Sequence, residues 1–399
     1  MPVEFLGIAT TSDASETTER TTASFDKDYL LRIVRAHEDN DWTRVLFAYG
    51  SSGPEPSVLA SYVAAHLDTV ELLLAHRPNV SYPTFAAKSF ATLDQLSQGR
   101  LSVHFITGGN DHEQQREGDT LTKDERYART QEYIQIVKKA WTSAEPFDHE
   151  GTYYQLADFV AEIKPYEGRV PTISFGGSSA AAFEVGAAEA DIYAVWGEPL
   201  ASTSEQIETV HAAAAAAGRA TPPRIHAAFR PIIAPTEALA WEKADQVLGR
   251  IQARKAAAGG SISRRHPLTK PENAGSQRLL EIAARGDRHD SVLWTAPAKA
   301  TGGAGNSNAL VGTPEQVAEA LLAYYDLGVR IISARGYDLL HDAADFGRYV
   351  IPLVREGVAQ RDAELARESS DEADAERRAA AHAALARQDA IAAAAEAVA

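Results

Sequence analysis

The chain has 399 residues, 45% hydrophobic and 24% charged, ordinary for a soluble globular protein and enough for two average domains or one large α/β barrel with additions. Lys and Arg total 39 against 55 Asp and Glu, and the net charge of −16 argues against nucleic-acid or anionic-membrane partners. There is no cysteine, which excludes disulfides, thiolate metal sites and a thiol nucleophile.

Val3 to Ala9 reads as a first strand, followed by a polar loop, residues 10–24, rich in Thr, Ser and Glu. Asp28 to Asp39 has helical spacing, with Leu30, Leu31, Ile33 and Val34 on one side, and Thr43 to Ala48 is a second strand. After the loop Ser51-Ser52-Gly53-Pro54 come a helix (Ser57–His66), a third strand (Val70–His76) and a helix from Thr84 to Ser97. Leu101 to Thr107 is the fourth strand, ending in Gly108-Gly109, and Asp124 to Trp141 a long amphipathic helix with Glu125-Arg126-Tyr127 in its first turn. Pro171 to Phe175 is a fifth strand that breaks at Gly176-Gly177, where Ser178-Ser179 open an alanine-rich helix. Asp191 to Trp196 is the sixth. A helix (Ser204–Gly218), a seventh strand (Arg224–Ile233), a helix (Glu237–Arg254), a helix (Pro314–Leu327) and an eighth strand (Arg330–Ala334) complete the series.

Eight nearly continuous apolar strands, each paired with a helix, predict buried parallel strands and hence an α/β fold of the (β/α)8 TIM-barrel type. A doubly wound sheet is the alternative. Two segments lie outside the units. Lys255 to Asn308, between the seventh and eighth strands, is punctuated by Gly, Pro, Ser and Arg, and connections of that length are usually lids or disordered. Glu368 to Ala399 is mostly Ala, Glu, Asp and Arg, helical by propensity but with little apolar face. The expected organisation is a barrel over 1–355 with an insertion at about 255–308, then a helical tail over 356–399.

In such barrels the site gathers at the carboxyl ends of the strands. Those ends hold Tyr49 to Gly53, His76-Arg77, Thr107 to Asp111, Gly176 to Ser179, Trp196 to Glu198, Arg230 and Arg335 to Tyr337. A helix opening on two glycines and two serines suits a phosphate, because the first backbone N–H groups lack helical partners and the macrodipole adds partial positive charge. A merely capped turn is the plainer reading. Alternation along the seventh strand places His226, Ala228 and Arg230 on one face, which would make room for an anionic ligand inside the barrel. His76 and His104 on apolar strands could equally be satisfied core histidines, Arg230 and Arg335 loop-pinning residues, and Tyr127 a packing residue. No GxSxG, HExxH, EF-hand or Walker pattern is present. No apolar run approaches a membrane span and no charged-then-apolar leader is seen at the N-terminus, so the cytoplasm is the expected compartment.

Several strings, taken together and in order, resemble the luciferase-like flavin monooxygenases, and within them the alkanesulfonate monooxygenase branch. They are HRPNVSYPTFAAKSFATLDQLSQGR (76–100), ITGG at the end of the fourth strand, ERY (125–127), FGGSS (175–179), WGEP (196–199), GGAG with ALVGTP (302–314) and RGYD (335–338). The resemblance implies a barrel that binds reduced FMN delivered by a separate NAD(P)H:flavin reductase and uses O2 to oxygenate a small organic substrate. Homo-oligomers are common in that family. The resemblance assigns the FMN phosphate to Gly177, Ser178 and Ser179 with Tyr127, and sets Thr107 near the flavin ring. His76, at the end of the third strand, is a further candidate on the cofactor side, and the resemblance makes the insertion a lid that keeps water from the flavin.

Departures limit the substrate. The family's Arg-x-His pair on the seventh strand falls at Ala228 and Arg230, its active-site cysteine at Gly53 and its lid arginine at Thr301. Where the family usually has Asn in the fourth strand, this chain has His104. The tyrosine is kept as Tyr337. The resulting expectation is a substrate held by Arg230, Arg335 and Tyr337, with catalysis by Tyr337, Arg230 and His226. Because arginine cannot act as a base at neutral pH, proton transfer falls to Tyr337 or His226. An organosulfur substrate, sulfonate or sulfone, is the first expectation. A nitrogenous or natural-product substrate, an F420-dependent dehydrogenase or reductase, and a barrel without catalysis are the alternatives.

Overall fold

A computed structural model describes residues 3–21, 23–257, 271–305, 307–368, 384–386 and 388. In chain order the elements are β1 (Glu4–Ala9), α1 (Lys27–Glu38), β2 (Arg44–Phe47), α2 (Pro56–Ala64), β3 (Glu71–His76), α3 (Pro83–Leu96), β4 (Leu101–Phe105), α4 (Asp111–Gln115) and α5 (Lys123–Thr142). Next come β5 (Phe147–Glu150), β6 (Gln155–Phe159), β7 (Thr172–Gly176), α6 (Ala180–Glu189), β8 (Ile192–Trp196), α7 (Leu200–Ala216), β9 (Arg224–Ile233) and α8 (Glu237–Ala257). The series ends with α9 (Ala274–Arg285), β10 (Arg288–His289), β11 (Leu293–Trp294), α10 (Ala296–Thr301), β12 (Ala309–Gly312), α11 (Pro314–Asp326), β13 (Val329–Ala334), α12 (Leu339–Tyr349) and α13 (Ile351–Glu368).

β1, β2, β3, β4, β7, β8, β9 and β13 pair in that order, all in parallel, and β13 returns to β1. This is a closed (β/α)8 barrel, as the strand pattern predicts. The outward faces of the strands and the inward faces of the helices form one large core that includes Phe5, Phe47, Leu72, Phe105, Phe175 and Phe229. The barrel interior is filled separately. Glu4, Arg44, Glu71 and Arg224, the first residues of four strands, close its amino-terminal end, with Arg44 bridging Glu4 and Glu71 (2.8 Å to the latter). Leu6, Leu46, Leu73, Ile192 and Ile331 form an apolar layer.

The described part of the insertion is built of regular elements. Residues 258–270 lie outside the described residues, but 271–305 hold α9, β10, β11 and α10, and the described part packs on the barrel. β9 is ten residues long, and its last four residues run beyond β8 and β13 to pair in parallel with β12, from Ala309 opposite Arg230 onward. β11 and β10 then add antiparallel strands. The reason is amphipathicity that a reading by turn residues overlooked: Leu279, Ile282 and Ala283 make one buried face of α9. A second missed element is the β5–β6 hairpin between α5 and β7. The boundary expected at residue 355 falls inside α13, whose Val354 and Val358 are buried against the barrel helices. Of the expected tail, 369–383, 387 and 389–399 lie outside the described residues.

Three buried histidines and the partly buried His104 give the fold an acid sensitivity. Burial lowers His37 and His104 to about 4 and His76 and His226 to about 3, from 6.5. The folded values lie below the unfolded ones, so the unfolded chain binds more protons between about pH 4 and 6.5, and stability rises with pH across that window. It is lost as pH falls, at about 1.4 kcal/mol per unit for each fully differing histidine. Thermal melts are expected to show a steep fall in Tm from pH 7 to pH 5. A flat Tm over that range would contradict the assignment.

Candidate active site

The glycine-serine turn is built as the sequence suggests. β7 ends at Gly176, and Ser179 caps α6 by accepting a hydrogen bond from Ala182 N (3.3 Å). A side chain could not be accommodated at Gly177. Its φ is +152°, and a Cβ would lie 2.6 Å from the Ala182 Cβ and 3.3 Å from the Tyr127 hydroxyl. Tyr127 reaches this point because a capping box, Thr122 with Glu125, starts α5 four residues earlier. Its hydroxyl lies beside the Ser179 side chain, and burial raises its pKa. Tyr193 donates to the Gly177 carbonyl (2.8 Å) and fixes the peptide. Ser178 Oγ donates to Gln206 Oε1 (3.4 Å), while Gln206 Nε2 is buried with no hydrogen-bond partner among the described residues. The N-terminus of α6, the Ser178 and Ser179 hydroxyls and the unpaired Gln206 amide nitrogen lie in one neighbourhood, residue types suited to a phosphate monoester.

Across the mouth, β9, β13 and the loop after β1 bring a second group together. Arg230 is 3% exposed and binds Glu16 through two hydrogen bonds, Nη1 to Oε1 (3.1 Å) and Nη2 to Oε2 (2.9 Å). It also donates to the Gly336 carbonyl (3.0 Å). Its guanidinium lies over the Tyr337 ring, 4.1 Å from the centroid. Arg335 approaches the same carboxylate at 3.4 and 3.5 Å. Burial alone would raise the Glu16 carboxyl, but the two arginines drive it well below the usual carboxylate range. Burial, partly offset by Arg230, raises Tyr337 to about 12, so its hydroxyl keeps its proton at neutral pH.

The described part of the insertion is anchored to the loop after β8. Glu198, 1% exposed, receives two hydrogen bonds from Arg278 of α9 (3.0 and 2.7 Å). Gly275 and Gly305 pack on the Trp196 ring so closely that a Cβ at either would come within 2.6 and 2.4 Å of it. Asn308 donates to the Gly197 carbonyl (2.8 Å) and accepts from Arg230 N (3.0 Å).

The family model for luciferase-like monooxygenases matches residues 5–330. The chain belongs to that family. Among solved structures, riboflavin lyase RcaE, with modified FMN and riboflavin, superposes with a TM-score of 0.72 at 22% identity, covering 89% of this chain and 92% of its own. EDTA monooxygenase EmoA from Chelativorans sp. BNC1 gives 0.71 at 18%, covering 89% and 94%. DmoA from Hyphomicrobium sulfonivorans gives 0.70 at 18%, covering 89% and 88%. At these identities the likeness speaks for the fold.

Against this luciferase-like barrel the expected site residues separate into groups. Gly177, Ser178, Ser179 and Tyr127 are together, and Arg230, Arg335 and Tyr337 are together. Thr107 lies beside the first group but points its hydroxyl outward, to Thr130 of α5 (3.3 Å). His76 corrects the expectation of a cofactor-side residue. Alternation along β3 turns it to the helix layer, where it hydrogen-bonds Tyr133 (2.8 Å) and packs on Phe90 and Phe105. His226 does face the interior, but four residues before Arg230, about 13 Å along the strand. It is thus separate from the arginine cluster. Burial and then His104 depress its pKa to about 3, so it is a poor base at neutral pH. The residues that sequence reasoning missed are Glu16, Gln206 and Asn308. Glu16 was visible only as one acidic residue in a polar loop after the first strand.

Proposed function

We propose that this luciferase-like monooxygenase is the oxygenase component of a two-component system, taking reduced FMN from a separate NAD(P)H:flavin reductase and oxygenating a small organic substrate with O2. The observation that carries the reading is the Gly177-Ser178-Ser179 turn, beside which lie the α6 N-terminus, the Tyr127 hydroxyl and the Gln206 amide nitrogen, unpaired among the described residues. In this reading Ser178, Ser179, Tyr127 and Gln206 hold the FMN phosphate, and Thr107, two residues past β4, lies near the flavin ring. Reduced FMN supplies the electrons for O2 activation.

The chain's own groups then have separable tasks. Gly177 lets the backbone approach the phosphate without a Cβ in the way. Arg335 and Tyr337 bind the substrate, and Arg230 holds Tyr337 in place from beneath its ring. Tyr337, protonated up to about 12, serves as a hydrogen-bond and proton donor rather than a base. The insertion, anchored through Glu198 and Trp196, excludes water from the mouth. An organosulfur compound, sulfonate or sulfone, is the substrate class to test first.

The experiment is an anaerobic titration with reduced FMN, followed by rapid mixing with oxygenated buffer while flavin absorbance and O2 are followed. Saturable binding and O2 consumption are expected. No binding of reduced FMN, with saturable binding of F420 instead, would replace oxygenation by hydride transfer on the same barrel.

A further inference from the structure

Two arginines face one carboxylate at the barrel mouth, and their commitments are unequal. Arg230 is 3% exposed, with both terminal nitrogens bonded to Glu16 and the second also to the Gly336 carbonyl. Arg335 is 31% exposed and meets Glu16 only at 3.4 and 3.5 Å, and its buried Nε has no hydrogen-bond partner among the described residues. Ile331 lies in the barrel's interior layer, so alternation along β13 directs Arg335 into the same interior. The loop carrying Glu16 is held from outside, because Arg254 of α8 donates to the carbonyls of Ser15 (2.6 Å) and Thr18. The neighbouring Asp342 is balanced by Lys243 (2.9 Å). Two positive charges against one negative leave the cluster with a net charge of +1.

Resting on the oxygenase reading, we infer that Glu16 is a specificity-determining residue: it neutralises Arg230 and leaves Arg335 as the single cation that reads the substrate, so the site selects a substrate with one singly charged oxyanion group. Arg230 is then a positioning residue that orients Glu16 and Tyr337. A neutral substrate would leave Arg335 with its weak contacts alone. A dianion would meet Glu16 across a short distance in a partly desolvated site, where like charges repel more strongly than in water.

Three probes of similar size and tetrahedral shape separate these cases at pH 7.5: dimethyl sulfone is neutral, methanesulfonate carries one charge and sulfate two. Binding to the full chain, with and without FMN, is read by ligand-observed NMR, with sulfate measured by competition. The expected order places methanesulfonate at least tenfold above both others. Glu16→Gln raises the net charge to +2 and is expected to move the preference toward sulfate by tenfold or more. Arg335→Gln, at a partly exposed position that makes few contacts, is expected to lose methanesulfonate binding by at least tenfold while dimethyl sulfone binds as before, and it carries the test should Glu16→Gln fail to fold. Sulfate bound as well as methanesulfonate, an unchanged order in folded Glu16→Gln, or unchanged methanesulfonate binding in Arg335→Gln would overturn the inference. Reduced-FMN affinity measured on the same samples reports separately on the oxygenase reading. The charge order without FMN binding would sink that reading alone, and FMN binding without the order would sink this inference alone.

Discussion

Gly177→Val is expected to weaken reduced-FMN binding about 100-fold, which corresponds to about 2.7 kcal/mol. The loss has two sources. A β-branched residue at φ +152° is strained, and its Cβ would press on Ala182, 2.6 Å away, displacing the first turn of α6 at the proposed phosphate site. The new side chain also meets the Tyr127 hydroxyl, itself a proposed phosphate ligand. Tyr127→Phe separates the two sources, since it removes one hydrogen bond and leaves the turn intact. A loss of about tenfold is expected from it, in line with about 1.5 kcal/mol for a bond to a charged group. Anaerobic fluorescence titration of both variants measures the effect, with thermal melts as a check on folding. Wild-type affinity in a folded Gly177→Val protein would place the phosphate elsewhere.

Glu198→Ala is expected to release α9 from the barrel mouth. The carboxylate is 1% exposed and takes both of its hydrogen bonds from Arg278, on an element 80 residues away in sequence. Removing one partner of such a pair leaves the other without its counter-charge and costs about 3 kcal/mol. The backbone of Glu198 would stay fixed, because its carbonyl accepts from Thr203 (3.0 Å) and Tyr324 (2.6 Å). The effect should therefore be local. In hydrogen-exchange mass spectrometry, amides of α9 are expected to exchange about 100-fold faster, and those of α5 much less so. Equal acceleration in both helices would mean that the ion pair stabilises the whole barrel rather than anchoring the insertion.

The parts of the site that were legible in advance are those encoded over a few residues. The break of an apolar run at Gly176-Gly177, followed by two serines, specified a strand, a tight turn and a capped helix, and the structure has all three. The alternation of β9 placed His226, Ala228 and Arg230 on the interior face, and they are there. His76 had the same alternation available, but its position beside Arg77 at a strand end drew it toward the site. Its real partner, Tyr133, sits on a helix 57 residues later.

The regular elements of the insertion were not legible for a related reason. Its Gly and Pro residues look like loop punctuation when taken one at a time. Gly275 and Gly305 are in fact small because they pack against the Trp196 ring. A glycine required by close packing and a glycine required by a turn are the same letter in a sequence.

Local periodicity therefore determined the barrel by itself: runs of apolar residues set eight parallel strands, helical spacing set what covers them, and period two set which side chains look inward. Tertiary structure alone decided the electrostatics of the mouth. Glu16 and Arg230 are separated by 214 residues, and no local pattern joins them. Only closure of the barrel, which sets β13 between β1 and β9, brings the loop after the first strand within reach of both arginines and reduces two positive charges to one.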